Sequence, residues 1–334
     1  MNQRSPTVTV IIVAFKAKPL IARTLAQLQA QTFADFEAIV LDNASPDGPP
    51  DLPDDPRFRL IRNPVNAGFA GGNNLAAAGA RGAWLALLNP DAFPEPDWLE
   101  QLLAAAERHP DAAMVGSLQL AAERPGFLDG AGDCYHASGF AWRGLYGAGV
   151  DRAPPTGEVF APCAAAALYR ADLFGALGGF DEDFFCYHED VDLAFRLRLA
   201  GWRCVQSREA RVAHVGSAST GRASDFAVFH GARNRLWTFA KTMPLPLLIL
   251  LVPAHAAVSL LVIAQAARKG VLTATVRGMA AGLEGLPAVW RKRAAVQRTR
   301  RVSLIRLLGA FTWSPLKMVG RDGDVRPWRQ TRRR

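Results

Sequence analysis

Residues 84–93 read WLALLNPDAF, and this stretch decides the fold class. Its first five residues are apolar without alternation, which is typical of a strand buried on both faces of a sheet in an α/β protein. The run ends at Asn89 and Pro90, and a proline cannot continue a central strand. The carboxylate of Asp91 is therefore expected at the carboxyl end of the strand, where open α/β sheets bind their ligands. A divalent cation with phosphate oxygens is one natural partner of this acid. The equally weighted alternative is that Asp91 only caps the helix expected to begin at residue 96.

The composition predicts one large globular domain with an appendage, since the chain has 334 residues, of which 50% are hydrophobic and 21% charged. Its net charge of +9 is unevenly distributed. The region from Phe226 onward holds 20 Lys and Arg against 3 Asp and Glu, a net charge of +17, whereas residues 1–225 hold 19 against 27, a net charge of −8. This asymmetry predicts chemistry in the acidic body and attraction of the basic tail to an anionic surface.

The cysteines and the amino terminus indicate the compartment. The four cysteines are widely spaced without a CxxC pair, which suits a thiol-reducing compartment and argues against a zinc site. Residues 1–5 lack the apolar core of a signal peptide, so we expect the acidic body to stay in the cytosol. No nucleic-acid partner is expected.

The first part of the chain alternates strands and helices, which predicts a mostly parallel sheet with right-handed crossovers. Asp42, the glycine-rich stretch 66–74 and Asp91 follow three successive strands, so we expect them at one edge of the sheet. A glycine-rich loop before a helix can cradle a phosphate. The glycine spacing matches neither a dinucleotide fingerprint nor a P-loop, and a plain tight turn explains it more simply. The strands are predicted at 8–15, 36–41, 57–61 and 84–88, with a first helix opening at Pro19.

The second part of the chain is less regular. Residues 119–158 form a long stretch rich in glycine and aromatic residues, which we expect over the active site near the acceptor. A helix begins after residue 188 and ends at Gly201, a normal carboxyl-terminal glycine. Other elements are predicted as a helix at 96–108, strands at 112–118, 202–205 and 211–213, and either a strand or a buried hairpin arm at 159–169.

Three acids, Glu189, Asp190 and Asp192, occupy the first turn of the helix that ends at Gly201. The helix dipole favours acids there without any functional role. Clustered acids also repel one another when they are buried, which invites a catalytic explanation. His214 follows the last predicted strand, and a histidine in such a place is more often a hydrogen-bonding residue than a metal ligand.

Seven short motifs follow one another in the chain: VTVIIVAF (8–15), VLDNASPDG (40–48), NAGFAGGNN (66–74), LLNPDAF (87–93), GGFDEDFF (178–185), HEDVDLAFRLRLAG (188–201) and AHVGSAS (213–219). In this order and spacing they resemble a family 2 glycosyltransferase of the GT-A fold over residues 7–240. The similarity is greatest to the bacterial rhamnosyltransferase-like branch, in which the metal motif reads Asn-Pro-Asp.

The resemblance implies a metal site. Asn89 and Asp91 occupy the two acidic positions of the family's DxD motif, and Asp91 would coordinate Mg²⁺ or Mn²⁺. His214 matches the family's downstream metal histidine. Asn89 replaces the first acid, so metal binding would depend on Asp91, His214 and the donor phosphates. Lys16 stands where the family usually has Asn, which leaves the details of base recognition open.

The resemblance also implies a nucleotide site. Asp42 would bind the base or ribose, and Ala14 and Phe15 would line that pocket. Asn66 and the glycines after it, Gly68 first, would line the nucleotide-sugar cleft.

By the same resemblance, Asp190 would be the catalytic base, with Glu189 beside it toward the acceptor, and Arg233 would reach the diphosphate. These residue types suit the chemistry. A metal and a basic residue stabilise the diphosphate leaving group, and a carboxylate takes the proton of the acceptor hydroxyl. A single base opposite the leaving group gives inversion. We therefore expect a metal-dependent enzyme that moves a sugar, such as rhamnose, to a glycan or lipid-linked glycan during cell-envelope polysaccharide synthesis.

The tail predicts membrane association. Residues 244–267 carry no charge apart from His255 and are long enough to span a bilayer. A buried helical hairpin broken at Pro253 is the alternative. A single span would export the catalytic domain, because the more basic side after Arg268 would stay cytosolic. We therefore expect helices lying on the inner face of the membrane, with a catalytic domain at 1–225, divided near 118, and a basic helical region at 226–334.

Two other functions remain open from the sequence. A nucleotidyltransferase would need a basic, glycine-rich signature near the first strand, and residues 14–18 supply the lysines without the glycines. A membrane-associated scaffold with a degenerate transferase domain would not need Asp91, Asp190 and His214.

Overall fold

The structure, a computed structural model, describes residues 5–216 and 224–329. The strands in these ranges are β1 (Val8–Ala14), β2 (Phe36–Asn43), β3 (Phe58–Asn63), β4 (Trp84–Leu88), β5 (Ala92–Pro94), β6 (Ala112–Ala121), β7 (Leu128–Gly130), β8 (Asp133–Tyr135), β9 (Ala141–Arg143), β10 (Gly157–Val159), β11 (Ala166–Arg170) and β12 (Arg203–His214). The helices are α1 (Lys18–Gln29), α2 (Gly68–Ala78), α3 (Trp98–Arg108), α4 (Ala171–Ala176), α5 (Glu189–Leu199), α6 (Asp225–Thr242), α7 (Leu245–Arg268), α8 (Leu272–Glu284), α9 (Leu286–Arg298), α10 (Leu304–Ala310) and α11 (Pro315–Gly320).

One sheet forms the centre of the molecule, in the order β10-β12-β6-β11-β4-β1-β2-β3, with β5 on β12 and β7 on β6. The half from β4 to β3 is parallel, as the alternation of strands and helices predicts. Strand β11 is antiparallel to both of its neighbours, β4 and β6. The sheet is therefore mixed, with helices on both faces, and the α/β fold class is confirmed.

The strand order reverses at β1. The chain passes from β1 to β2 and β3 in one direction and then crosses back to place β4 on the other side of β1. Ligands of open α/β sheets bind in the crevice at such a switch point, beside the carboxyl ends of the strands. Ala14 at the end of β1 and Asn89 after β4 border this crevice.

Burial on both faces explains the unalternating runs of the first strands. Val10 and Ile12 of β1 belong to the hydrophobic cluster under α1 and α3, whereas Ile11 belongs to the cluster under α2 and α5. All three side chains are at most 1% exposed. A strand covered in this way gains nothing from polar residues at alternate positions.

Three predicted elements differ in the structure. Helix α2 begins at Gly68 itself, so the glycine-rich stretch is largely helical and the prediction of a loop is wrong there. Gly72 lets this helix approach β1, since a Cβ at Gly72 would lie 2.7 Å from a Val13 methyl carbon. The two strands predicted at 202–205 and 211–213 are one strand, β12, with an irregularity between Gln206 and Arg211. Of the segment predicted at 159–169, only Val159, at the end of β10, and residues 166–169, in β11, lie in strands.

The basic tail packs into the same core as the body. Phe239 of α6 and Phe311 after α10 join the hydrophobic cluster that also holds Tyr135 and Phe195. Tyr135 lies 5.6 Å from Phe311 between ring centroids. Residues on both sides of position 225 thus share one core, and the division of the chain at that position stays a prediction.

Helix α7 is long and apolar enough to cross a membrane, and 28% of its most apolar 18-residue stretch is buried. Pro253 lies inside the helix and does not end it, so the alternative hairpin does not form. One side of α7 packs on the body, where His255 Nδ1 lies 2.8 Å from the carbonyl oxygen of Ser138. The other side is exposed and includes Ile249 and Leu260, each about two-thirds accessible to solvent.

Candidate active site

The end of β2 organises the loop after β3. Asn43 Nδ2 donates to Asn66 Oδ1 and to the Gly68 carbonyl oxygen, both at 3.0 Å, and Asn43 Oδ1 accepts from the backbone N–H of Ala67 at 3.0 Å. The end of β2 and the loop after β3 therefore lie side by side, as predicted. Asn66 serves this connection, and the neighbouring Asn43 is a residue that the sequence analysis missed.

The predicted nucleotide-pocket residues lie at the ends of β1 and β2. The Asp42 carboxylate is buried and accepts from the backbone N–H of Ser45 at 3.1 Å. Ala14 is buried, and Phe15 is half-buried next to the exposed Lys16, whose Nζ lies 5.5 Å from the centre of the Phe15 ring. These side chains border the switch-point crevice.

Gly68, at the start of α2, lies against the segment that precedes α5. Its φ is +71°, and a Cβ at this position would lie 2.4 Å from the carbonyl oxygen of Phe185. That same carbonyl accepts from the backbone N–H of Ala70 at 3.1 Å. Only glycine allows this approach, because it combines a positive φ with the absence of a side chain.

The two predicted metal ligands meet. Asp91 follows β4, and His214 ends β12 opposite Ala92 in the pairing of β12 with β5. Asp91 Oδ1 lies 3.4 Å from His214 Nε2, and Asn89 Nδ2 lies 3.4 Å from the same nitrogen. On the far side of the ring, His214 Nδ1 lies 2.7 Å from Asp129 Oδ2.

This donor set fits a divalent cation. A carboxylate oxygen and an imidazole nitrogen converge, and the Asp129 carboxylate orients the ring from behind, as carboxylates do for histidine ligands. Burial by itself would lower the pKa of His214, but the hydrogen bonds with Asp129 and Asp91 raise it. A cation would replace the proton that these carboxylates hold on the ring.

A second group of possible ligands, Asp133, Cys163 and Asp190, has its ligand atoms within 4.8 Å of one another. Burial raises the pKa of the Cys163 thiol to about 12, and a protonated thiol is a poor ligand. Arg143 Nη2 donates to Cys163 Sγ at 3.0 Å, and Nη1 pairs with Asp129. Hard cations also prefer all-oxygen or oxygen–imidazole ligands. We therefore interpret this group as an acid cluster that is charge-balanced by Arg143.

Asp190 is held by backbone donors at the start of α5. Its Oδ2 accepts from the N–H of Ala164 at 3.1 Å, and its Oδ1 accepts from the N–H of Val191 at 2.8 Å. Burial raises the pKa of Asp190, and these backbone hydrogen bonds oppose the rise. The arrangement suits a carboxylate that takes up a proton during a reaction.

The other two acids of the first turn differ from Asp190. Glu189 is buried, its Oε2 has no hydrogen-bond partner in the part of the chain described, and burial raises its pKa well above the usual value. Asp192 is fully buried and pairs with Arg196 Nε and with Lys241 Nζ, both at 2.8 Å. Asp192 is thereby committed to ion pairs that join α5 to α6.

The loop before α5 has an unusual backbone. Phe185, Tyr187 and His188 have φ values of 62°, 71° and 68°, which are uncommon for residues with side chains. Asn234 holds this loop through three hydrogen bonds from its Nδ2, to the carbonyl oxygens of Phe184, Cys186 and Tyr187. Such strain persists only where the surroundings determine it, and it is frequent at active sites.

Arg233, which was expected at the diphosphate, supports the same loop. Its Nη2 donates to the carbonyl oxygens of Asp183 and Phe184, each at 2.9 Å, and its guanidinium lies 4.3 Å from the Trp237 ring. A role at the diphosphate stays a prediction. Residues 217–219 of the AHVGSAS motif lie outside the described residues.

Comparison with known proteins supplies the family. The family model described as glycosyl transferase family 2 matches residues 9–177. An N-acetylglucosaminyl-diphospho-decaprenol L-rhamnosyltransferase from Mycobacterium tuberculosis is 31% identical over 252 residues, which cover 66% of this chain and 80% of the relative. The O-antigen biosynthesis protein RfbC from Myxococcus xanthus is 35% identical over 225 residues, 63% of this chain but 17% of that protein.

A solved structure has the same fold. The mannosyltransferase PcManGT from Pyrobaculum calidifontis, in complex with GDP-Man and Mn²⁺, is similar with a TM-score of 0.52 and 19% identity. The similarity covers 92% of this chain and 84% of that one. The GT-A architecture expected from the sequence is confirmed.

Proposed function

The chain belongs to glycosyl transferase family 2 and is a glycosyltransferase, and from this premise we propose that it is an inverting, metal-dependent enzyme of cell-envelope polysaccharide synthesis. The donor is a nucleotide-diphosphate sugar, with L-rhamnose as the sugar, and the acceptor is a lipid-linked glycan. The similarity to the mycobacterial rhamnosyltransferase supports the sugar and the acceptor class. Family membership argues against a nucleotidyltransferase, and the presence of Asp91, Asp190 and His214 argues against a scaffold with a degenerate transferase domain.

The meeting of Asp91 with His214 at the switch point is the observation that carries this proposal. Asp91 and His214 Nε2 would hold a Mg²⁺ or Mn²⁺ ion, and Asp129 would keep the imidazole oriented toward it. When bound, the cation supplies positive charge that stabilises the diphosphate leaving group. Asp42, Ala14 and the ends of the first strands would receive the nucleotide beside that ion.

Asp190 would act as the base toward the acceptor hydroxyl. The hydrogen bonds from the Ala164 and Val191 backbone fix the carboxylate and stabilise its ionised form before the proton arrives. Arg143 would balance the charge of the neighbouring acids, since its guanidinium pairs with Asp129 and lies within electrostatic reach of Asp133 and Asp190. A base on one side and a metal-bound leaving group on the other support a single displacement with inversion.

The test is a panel of nucleotide-diphosphate sugars with and without Mn²⁺, read out as binding and as transfer to a polyprenyl-diphosphate-linked sugar. We expect binding that depends on Mn²⁺ and a product whose anomeric configuration is inverted, as seen by NMR. Asp91→Ala should lose the metal-dependent part of donor binding, and His214→Ala should weaken it less. Asp54→Ala, at an exposed acid of another loop, is the control and should bind as the parent. Parent-like metal-dependent binding by Asp91→Ala would place the cation elsewhere.

Peripheral attachment to the inner face of the membrane completes the proposal. The net charge of +17 after Phe226 and the exposed apolar side of α7 support an interfacial position rather than a span.

A further inference from the structure

An apolar groove of about 680 Å³ lies on the surface between α6, α7 and α9. Its walls include Leu236 and Phe239 of α6, Leu248 and Val252 of α7, and Trp290 of α9. Its volume is in the range of ligand clefts, about 300–1,000 Å³. Trp290 is 52% exposed and Val252 is 49% exposed, so the groove opens to solvent although its walls are almost entirely apolar.

One end of the groove reaches the segment that follows Asp133. His255 lines the groove, stacks on Phe239 with ring centroids 4.2 Å apart, and bonds the carbonyl oxygen of Ser138. Ser138 lies five residues after Asp133, which belongs to the acid cluster around Asp190. Five extended residues span at most about 18 Å. Ser138, which His255 contacts, therefore lies within that distance of Asp133 in β8.

The charged side chains of α7 and α9 are all basic. In the part of the chain that the structure describes, α7 and α9 carry no acidic residue, and Arg291 is exposed beside Trp290. Arg235 is 4% exposed and is linked to His255 through Ser259. Its Nη2 donates to Ser259 Oγ at 2.9 Å, and its Nη1 has no hydrogen-bond partner among the described residues. No acid within the described ranges forms an ion pair with it. A buried guanidinium without a carboxylate is costly unless an anion compensates it.

We propose that the groove between α6, α7 and α9 binds the isoprenoid chain of a polyprenyl-diphosphate-linked acceptor. The chain lies between α7 and α9 with its free end toward the exposed apolar side of α7, and the diphosphate end lies toward His255 and the Arg235 side of α6. This assignment rests on the proposed function, because it takes the lipid-linked acceptor as the substrate class. It accounts for an apolar groove that has a buried cation and the backbone of Ser138 near its His255 end.

Ala256 gives a direct test, because it lines the groove and is exposed, whereas the adjacent Ala257 is exposed on the same helix outside the groove. Ala256→Trp fills the groove, and Ala257→Trp is the matched control. The probe is geranylgeranyl diphosphate, titrated by calorimetry into the full-length protein. We expect Ala256→Trp to weaken its binding on the order of tenfold or more, because each methylene that loses its contact weakens binding about fourfold.

Binding of inorganic diphosphate and of the nucleotide-sugar donor should be equal in the parent and both variants. Val252→Gln, with the exposed Leu250→Gln as its control, repeats the test with a polar group in place of a bulky one. Parent-like affinity of both groove variants for geranylgeranyl diphosphate would overturn the proposal. Equal binding of a straight-chain alkyl phosphate of similar length would overturn the assignment to an isoprenoid and indicate a general lipid contact.

Failure of the proposed function would look different. A parent that binds geranylgeranyl diphosphate and loses it in Ala256→Trp, but transfers sugar to no polyprenyl-linked acceptor, would keep the groove as an isoprenoid site and reject the proposed acceptor. A parent that transfers sugar equally well to long-chain and two-isoprene acceptors, with no effect of Ala256→Trp on either KM, would keep the transferase and reject the groove.

Discussion

At the scale of single residues, the imidazole of His214 depends on a carboxylate that lies 85 positions away in the chain. Asp129 is fully buried and holds Nδ1, so that Nε2 faces Asp91. We predict that Asp129→Asn lowers metal-dependent donor affinity by about 10–100-fold, the usual effect of removing such an orienting partner. Titration of the donor at several Mn²⁺ concentrations measures it, with Asp54→Asn as the control. Unchanged Mn²⁺ dependence in Asp129→Asn would mean that His214 is oriented by other contacts.

The pKa of Asp190 predicts the pH dependence of the enzyme. Burial raises this pKa above its ordinary value, and only the ionised carboxylate can act as a base. As the pH falls, Asp190 therefore takes up its proton earlier than an exposed aspartate would, and kcat/KM should fall with a midpoint above the pKa of a free aspartate. A pH profile of kcat/KM at saturating metal measures this. An acid limb at or below the value of a free aspartate would contradict the assignment.

The sequence could indicate Asp91, Asp190 and His214 because each lies at the end of a regular element. Asp129 and Arg143 could not be found in this way. Both lie within residues 119–158, where three-residue strands and turns are too short to give a periodic pattern of apolar residues. Their roles come from packing between distant segments. Arg233 shows the opposite case, since the family resemblance placed it at the diphosphate, whereas its guanidinium supports the loop before α5.

At the scale of elements, α6 is clamped to the segment around α5 by one buried cation. Lys241 is 2% exposed and pairs with Asp181 at 2.5 Å and with Asp192 at 2.8 Å. We predict that Lys241→Met lowers the free energy of unfolding by about 3 kcal/mol, the lower end of the cost of breaking a buried ion pair, because Arg196 remains beside Asp192 and Lys292 beside Asp181. Chemical denaturation measures this loss.

Lys292→Met is the matched control. Lys292 also pairs with Asp181, but its side chain is 41% exposed, so its loss should cost no more than about 1 kcal/mol. Although burial opposes it, pairing with Lys241 and Lys292 lowers the pKa of Asp181 to about 2. The stability from this pair is therefore present above about pH 4 and lost as the pH falls toward 2. Equal effects of the two lysine variants would refute the clamp.

Most elements of the parallel half could be predicted because each strand is a β-branched or apolar run bounded by turn residues. The glycine-rich stretch could not, since glycines that permit close packing of α2 on β1 look the same in a sequence as glycines that make a loop. The direction of β11 also could not be predicted. It depends on where the chain returns to the sheet after a long excursion, which no local pattern records.

At the scale of the whole molecule, charge and apolar exposure coincide in the carboxyl-terminal region. Ile305, Leu316 and Val319 are at least 80% exposed among the basic residues of that region. We predict that the protein sediments with anionic vesicles and that binding weakens as salt rises, because salt screens surface charges. Vesicles of neutral lipid are the control. A protein that stays in solution with anionic vesicles at low salt would refute membrane attachment.

The central claim is that a carboxylate at the start of α5 takes the acceptor proton while the donor is held at a separate metal site. The most direct measurement is transfer by Asp190→Asn, with donor binding and thermal unfolding recorded on the same sample and Glu189→Gln as the neighbouring control. We predict that Asp190→Asn keeps its fold and its Mn²⁺-dependent donor affinity but loses transfer by about 10²–10⁴-fold, the usual cost of removing a general base. Glu189→Gln should lose less. Transfer by Asp190→Asn at a rate near that of the parent would assign the base to another residue and contradict the mechanism.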